Sequence, residues 1–496
     1  MSRSSSPFDL VGAQIQKFSS LQRIAPAHLA PSHNLDSAVV PRSGDPYGVR
    51  RLPSVPFPDH PALRPDVVPL PPERHLMTVE STSAERALGV RVTRLVALLA
   101  VQVFPLVALA LVYPLVAVQL HEMRIGGQSV ASVMVTAATL APLLAQTVSA
   151  PVYRLIDGIE RADRWRVGAQ SLRAIPRALV IGAPIALLTS LLIAYGLAWS
   201  PEATAALVGV VELHLLLSAL LVASYATGGK ASLLVTWSSY AAALLIMPTL
   251  VWAPATAAIV AQATILVVAA VQVRPQRIGR VPAGVLSAAV TRGVADVLPL
   301  WCIPLAVLAA DPARFLAGPV FAGMLPAIVS YHVFFETSAE PMWRRIDRLR
   351  RSMGVMPYEA LERDLREMRE HAGRGLLRVT IVEALLAGVT VLIVGAAKWD
   401  GVPLFLGVLA VSGIGVVMLA QVYTYGMLRP GVPVAVSGLV LLPMIVITEV
   451  VHVTPAEMLL TIGATYAVVA VATGFLNRQA WRLPEYSLFW RSALSA

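Results

Sequence analysis

Val402–Leu428 reads VPLFLGVLAVSGIGVVMLAQVYTYGML, an apolar run without one charged side chain. A helix needs roughly 20 residues to cross the hydrocarbon core of a bilayer, and this run is long enough. Working outward from it, comparable runs recur from about Arg94 to Asn477. They cover residues 92–119, 127–153, 177–199, 203–226, 231–252, 255–273, 294–310, 314–336, 376–398, 402–428, 431–451 and 455–476. Backbone held in lipid must satisfy its own hydrogen bonds, so each run is expected to be helical. The predicted fold class is an all-α polytopic membrane protein with about twelve transmembrane helices.

Composition agrees. Of 496 residues, 56% are hydrophobic and 14% charged, and the mean hydropathy is +0.70. A soluble chain could not bury so much apolar surface. The formal charge of +10 is spread over loops and the N-terminal tail, which argues against nucleic acid as a partner and for the lipid bilayer. The single cysteine, Cys302, lies in a span. It excludes an internal disulfide and a cysteine-based metal site, and reads as a small apolar packing residue. No apolar core precedes about Leu88, so no signal peptide is expected. Residues 1–87 form a tail with prolines too frequent for helix, as in VPFPDHPALRPDVVPLPPE (Val55–Glu73), and are expected to be disordered or extended.

The loops set the orientation. Arg154, Arg161, Arg164, Arg166, Arg173 and Arg177 follow the second run, Lys230 the fourth, and Arg274, Arg277, Arg280 and Arg292 the sixth. Arg344, Arg345, Arg348, Arg350 and Arg351 follow the eighth, Arg429 the tenth, and Arg478 and Arg482 the last. The opposite loops are short and nearly free of positive charge; Arg124, Arg314 and Lys398 are the exceptions. The positive-inside rule then places both termini in the cytoplasm of a multi-pass protein of the cytoplasmic membrane.

The runs divide into two groups of six. A first bundle is expected over 88–273, a basic cytoplasmic linker over 274–293, a second bundle over 294–476 and a cytoplasmic C-terminal tail over 477–496. Each half has a long polar segment after its second run, Tyr153–Arg177 and Glu336–Arg374. This correspondence suggests two pseudo-equivalent bundles, as in alternating-access transporters, and it rests on topology, not on a residue-level repeat. The charged insert 337–375 is read as two short amphipathic helices lying on the cytoplasmic membrane face, a clamp or a docking surface.

No catalytic signature is present: no Gly-x-Ser-x-Gly, no phosphate-binding Walker loop, no His-Glu-x-x-His. The expectation is a protein that is not an enzyme and needs no cofactor or metal. The chemistry-bearing residues are ionisable groups at membrane depth, which are costly there unless paired or wet. Glu212 and His214 lie in the fourth run, Asp296 opens the seventh, Glu336 closes the eighth, Glu383 lies in the ninth, and Glu449 with His452 ends the eleventh. Two readings stay open for them: a coupling path or substrate contacts, against helix-to-helix hydrogen bonding or an interfacial position. Tyr331, Phe334, Phe335 and Trp343 read as an interfacial aromatic belt.

Four stretches carry a resemblance: PVYRLIDGIERADR (Pro151–Arg164), Glu212–Lys230, YHVFFETSAEPMWRRID (Tyr331–Asp347) and YTYGMLRPGVP (Tyr423–Pro433). Together they resemble the Pel exopolysaccharide exporter family (PelG-type), a distant branch of the multidrug, oligosaccharidyl-lipid and polysaccharide (MOP) flippase superfamily. Ser338–Pro341 stands where that family has an aromatic, and Gly426-Met427-Leu428 where it has an aromatic-acidic pair. The resemblance implies export of a polysaccharide or lipid-linked saccharide by two rocking bundles, with a cytoplasmic glycosyltransferase as partner. Arg154, Asp157, Arg164, Arg274, Arg344, Arg345 and Arg348 would then form the cytoplasmic mouth or dock. Two other functions are compatible with the layout: a proton-coupled small-molecule transporter with twelve spans, for which DGIERADRWRVG (Asp157–Gly168) is loosely similar to a major-facilitator loop, and a non-transporting subunit that anchors and activates a glycosyltransferase.

Overall fold

Helices dominate, as the apolar runs require. The computed structural model describes Phe104, Ala108, Val112, Tyr113 and, from 115 to 484, all residues except 157–158, 160–162, 228, 274–280, 312–314, 353–357, 397–400, 430, 451–453 and 483. The expected tail 1–87, the linker residues 274–280 with Arg274, and Asp157 and His452 lie outside the described residues, as do the side chains of Arg344 and Glu449.

Residues 115–122 are helical and lead into a hairpin of β1 (Arg124–Ile125) and β2 (Gln128–Ser129), paired antiparallel. Its turn uses Gly126 and Gly127, both at positive φ (54° and 84°), which a two-residue hairpin turn of this hand demands. The helices follow as α1 (Val130–Leu155), α2 (Arg164–Gly196), α3 (Pro201–Thr227), α4 (Lys230–Ile246), α5 (Ala253–Gln272) and α6 (Ala283–Ala310). Then come α7 (Ala317–Phe334), a π-turn (Phe335–Ala339), α8 (Glu340–Ser352), α9 (Tyr358–Ala396), α10 (Val402–Leu428), α11 (Val432–Val450) and α12 (Pro455–Ala480). Among the described residues, nine helical stretches are long and apolar enough to cross a membrane, and Lys230–Ile246 and Val432–Leu442 are shorter apolar helices. The chain is a polytopic, helical, multi-pass membrane protein.

The outward faces say the same. Val180, Leu188, Leu192 and Tyr195 on α2, and Leu385, Leu392 and Ile393 on α9, are largely exposed. In water such continuous apolar stripes would drive association; against acyl chains they are the expected surface. The inward face of α2 is a stripe of small residues at every fourth position, Ala174, Ala178, Gly182, Ala186, Ser190 and Ala194, all buried. That stripe lets neighbouring backbones approach closely. A Cβ added at Gly182 would come within 2.3 Å of Val148 Cγ1 on α1.

Buried side chains gather separately in the two halves. One core lies between Val112 and Leu266, the other between Leu300 and Trp481. α1 packs on α6 across the halves, where a Cβ on Gly293 would lie 3.3 Å from Gln146 Cβ and 3.4 Å from Ala150 Cβ.

Three boundaries differ from the sequence expectation, because hydropathy marks lipid contact and a helix can continue into water. α2 starts at Arg164, capped by the Asp163 carboxylate, which accepts from Arg166 N at 3.1 Å. α6 starts at Ala283, so residues 283–293 belong to a helix and not to a linker. The insert is not two short surface helices. α8 continues from α7 through the π-turn, and the second expected piece is the first half of the 39-residue α9. No proline interrupts Tyr358–Ala396, and Glu362–Arg366 (3.0 Å) and Glu370–Arg374 (2.7 Å) pair at i,i+4. The apolar face of α8, with Met342, Trp343, Ile346 and Leu349, is buried in the second core with Leu365 and Met368 of α9. It packs against protein rather than lipid.

Candidate functional site

Prolines shape the second half. Pro299 has no N–H, so the carbonyl of Ala295, four residues back, loses its helical donor. Ser437 of α11 supplies the replacement: its hydroxyl donates to Ala295 O at 2.7 Å. Next to it Asp296 is buried and receives Arg292 Nε at 3.0 and 3.1 Å, a same-helix pair that leaves neither charge alone. Asp296, Pro299, Tyr331, Tyr423 and Ser437 line a cavity of ≈ 10 Å³, room for about one water.

The aromatic residues beside this cavity form a cluster inside the protein. Tyr331 meets Phe335 at 4.6 Å between centroids and Phe335 meets Tyr423 at 4.7 Å, both edge-on. Trp343 Nε1 donates to the Tyr423 hydroxyl at 2.8 Å. Tyr331, Phe334, Phe335 and Trp343 are all less than a tenth exposed. They are therefore core, and the interfacial belt expected of them is not what they form; their apolar bodies are buried in the second core while the Trp343 N–H finds Tyr423.

Pro341 repeats the Pro299 device. It denies a helical donor to Thr337 O, within the π-turn. Here the donor comes from α9: Arg378 Nη1 reaches Thr337 O at 3.3 Å, and His371 Nε2 donates to Ser338 O at 3.3 Å. A Cβ at Gly375, between them, would lie 2.8 Å from Ser338 Cβ. Thus α9 clasps the turn with one short face, and Glu336, half-buried, sits in that turn.

Glu383 lies five residues beyond Arg378 on α9, about 7 Å further along the axis. It is 6% exposed, and neither carboxyl oxygen has a hydrogen-bond partner. Its polar neighbour is Ser330 of α7, also buried, whose hydroxyl is, among the described residues, the one donor beside the carboxyl. On the other side is Gly413 of α10, where a Cβ would stand 3.1 Å from Glu383 Oε1. The glycine makes the space that the carboxyl fills.

In the first half His214 and Gln262 find partners, whereas the buried hydroxyls of Thr136, Ser171 and Ser190 make no hydrogen bond among the described residues. His214 Nδ1 donates to Val210 O at 2.7 Å, which leaves Nε2 to accept from the Tyr240 hydroxyl at 3.1 Å. It ties α3 to α4 and is structural, while Glu212 is half-buried on another face. Gln262 of α5, which reasoning from ionisable groups passes over, is fully buried. Its oxygen accepts from Ser232 Oγ at 2.9 Å and Thr236 Oγ1 at 2.8 Å. Its nitrogen donates to Ser224 Oγ at 2.6 Å and Leu220 O at 3.4 Å. A lone amide in an apolar run is the sequence signal that would have marked it.

The expected mouth residues are distributed. Arg154 stands in the last turn of α1, where a cation complements the helix dipole. Arg164 opens α2 and lies 5.0 Å over Trp165. Arg345 pairs with Glu367 of α9 at 3.3 Å, and Arg348 is exposed on α8. Glu212, Asp296 and Glu383 are not brought together among the described contacts. Cys302 packs as expected, fully buried, with Sγ 2.9 Å from the Tyr466 hydroxyl.

Matching the helices in order brings out a residue-level repeat that the sequence read alone did not yield. QTVSAPVYRLID (Gln146–Asp157) aligns with ETSAEPMWRRID (Glu336–Asp347), identical at Thr147/Thr337, Pro151/Pro341, Arg154/Arg344, Ile156/Ile346 and Asp157/Asp347. Val152/Met342, Tyr153/Trp343 and Ile156/Ile346 are buried in both copies. VTRLVA (92–97) and VTRGVA (290–295) precede them.

No protein-family model and no curated protein matches the chain. A solved structure described as the outward-facing conformation of a multidrug resistance MATE family transporter of the MOP superfamily is similar at a TM-score of 0.42 and 11% identity, covering 78% of this chain and 95% of that one.

Proposed function

We propose that this protein is an alternating-access carrier of the cytoplasmic membrane that exports a polysaccharide or a lipid-linked saccharide, fed by a cytoplasmic glycosyltransferase. The observation that carries the reading is the pair of separately cored halves, built on a residue-level repeat and meeting along the α1–α6 contact. Two separately cored halves in contact along one helix pair are what rocking about a central path needs. Pro299 and Pro341, whose freed carbonyls find side-chain donors, supply places where the backbone can bend without orphaned groups. The positive-inside rule puts the arginine-rich ends of α1, α2, α8 and α9 in the cytoplasm, where they suit an acidic or phosphorylated carrier lipid. The saccharide substrate comes from the resemblance in Pro151–Arg164, Tyr331–Asp347 and Tyr423–Pro433.

Deleting the gene from its source organism tests this. The reading expects secreted polysaccharide to fall and saccharide to collect inside, and expects a glycosyltransferase to co-purify with the full chain from native membranes in mild detergent. Unchanged secretion, with the chain recovered alone, would overturn it.

A further inference from the structure

We propose that Glu383 is a proton-carrying site: its carboxyl holds a proton in the packing seen here and releases it when α9, α7 and α10 separate, so that transport is driven by a proton gradient. The inference rests on the carrier reading above. Its ground is geometric. Among the described residues, Glu383 is the one carboxyl group with both oxygens buried and without a hydrogen-bond partner. An ionised carboxylate in that place would have no counter-ion and at most the Ser330 hydroxyl as donor, so the group resides there as the neutral acid.

The charged and titratable neighbours do not change this. α10 carries no Asp, Glu, Lys, Arg or His anywhere in Val402–Leu428, and its tyrosines, Tyr423 and Tyr425, come more than two turns after Gly413. α7 offers His332, two residues past Ser330 and so on a different face, and the π-turn offers Glu336. On α9 itself, Arg378 donates to Thr337 O, and Glu383 makes no ion pair among the described residues.

Gating follows from the same elements. The polar end of α9 lies only about 7 Å away along the axis. Between that end and Glu383 is the π-turn of α7, held to α9 by Arg378 and His371. Releasing the clasp would part α7 from α9 and admit water to the carboxyl; closing it would return the acid to apolar surroundings. The proton binds one carboxyl oxygen from water on one side and leaves to water on the other, with no other bond changed.

The test uses the full chain in lipid nanodiscs with spin labels on cysteines placed at the exposed positions Glu122 and Leu316, one in each half; Cys302 is buried and stays unlabelled. Pulsed dipolar spectroscopy measures the label distance from acid to alkaline pH. The expected result is two distance populations whose ratio changes with pH. In Glu383→Gln the low-pH ratio should persist at every pH, and Ser330→Ala, which keeps the carboxyl and removes its neighbour, should move the midpoint. Two populations that ignore pH, or a Glu383→Gln protein that titrates like the wild type, would overturn the proton site and leave the carrier intact. A single distance at all pH values would overturn the carrier reading as well.

Discussion

Gln262 and Glu383 are both buried polar side chains at membrane depth, one in each half, and they are treated in opposite ways. Gln262 spends its amide on four partners from α3 and α4. Glu383 has only the Ser330 hydroxyl beside its carboxyl, which makes no ion pair among the described residues and leaves both oxygens buried. A satisfied amide welds three helices and is structural glue. An unsatisfied carboxyl weakens the fold where it lies, and its retention needs another reason. The helices behind them differ in the same sense. Aligning Arg177 with Arg378 sets Gly182 opposite Glu383, so the stripe Ala174, Ala178, Gly182, Ala186 on α2 corresponds to Gly375, Val379, Glu383, Ala387 on α9. The repeat gives the first half a close-packed seam and the second a buried acid. The matched Thr–Pro stretches diverge too: α1 runs helical through Pro151, whereas the second copy opens into a π-turn before Pro341.

The largest expected effect comes from forcing the first half to resemble the second. Gly182→Glu places a Cβ 2.3 Å from Val148 Cγ1 and buries a carboxyl with no room; a loss of about 4 kcal/mol or more is expected. Size-exclusion chromatography after detergent extraction should show little folded protein, and a normal yield would break the alignment of the halves. Next in size is Gln262→Leu, which removes the weld; unfolding should become easier by about 1–2 kcal/mol in a denaturant titration. Ser437→Ala leaves Ala295 O without a donor beside Pro299 and should cost about 1 kcal/mol in the same titration. Smallest is Arg378→Met, which frees Thr337 O at an exposed site; about 0.5 kcal/mol is expected, accompanied by faster hydrogen exchange confined to α8 and the π-turn.

How far the sequence could be read follows from what each signal measures. The spans were legible because continuous apolar runs are the direct trace of lipid contact; Val402–Leu428 came out with the observed ends. Helix starts at Arg164 and Ala283 were not, since these ends leave the lipid and lose hydropathy while a cap or an i,i+4 pair keeps them helical. The aromatics Tyr331–Trp343 misled for a related reason: composition marks an interface but not which way a ring points. Glu383 was visible as an ionisable residue in an apolar run. Its neighbours Ser330 and Gly413 were not, because tertiary packing alone brings them to it. The repeat escaped because the spacing between matched positions changes from one helix pair to the next: Asp157 to Arg177 spans 20 positions, Asp347 to Arg378 spans 31.

The comparison of glue with acid is tested most directly by saccharide export per folded molecule, measured in the deletion strain carrying Glu383→Gln or Gln262→Leu at matched membrane levels. The account predicts that Glu383→Gln is as stable as the wild type and does not export, while Gln262→Leu is less stable yet exports normally per molecule. Full export by Glu383→Gln, or its loss in a stably folded Gln262→Leu, would contradict it.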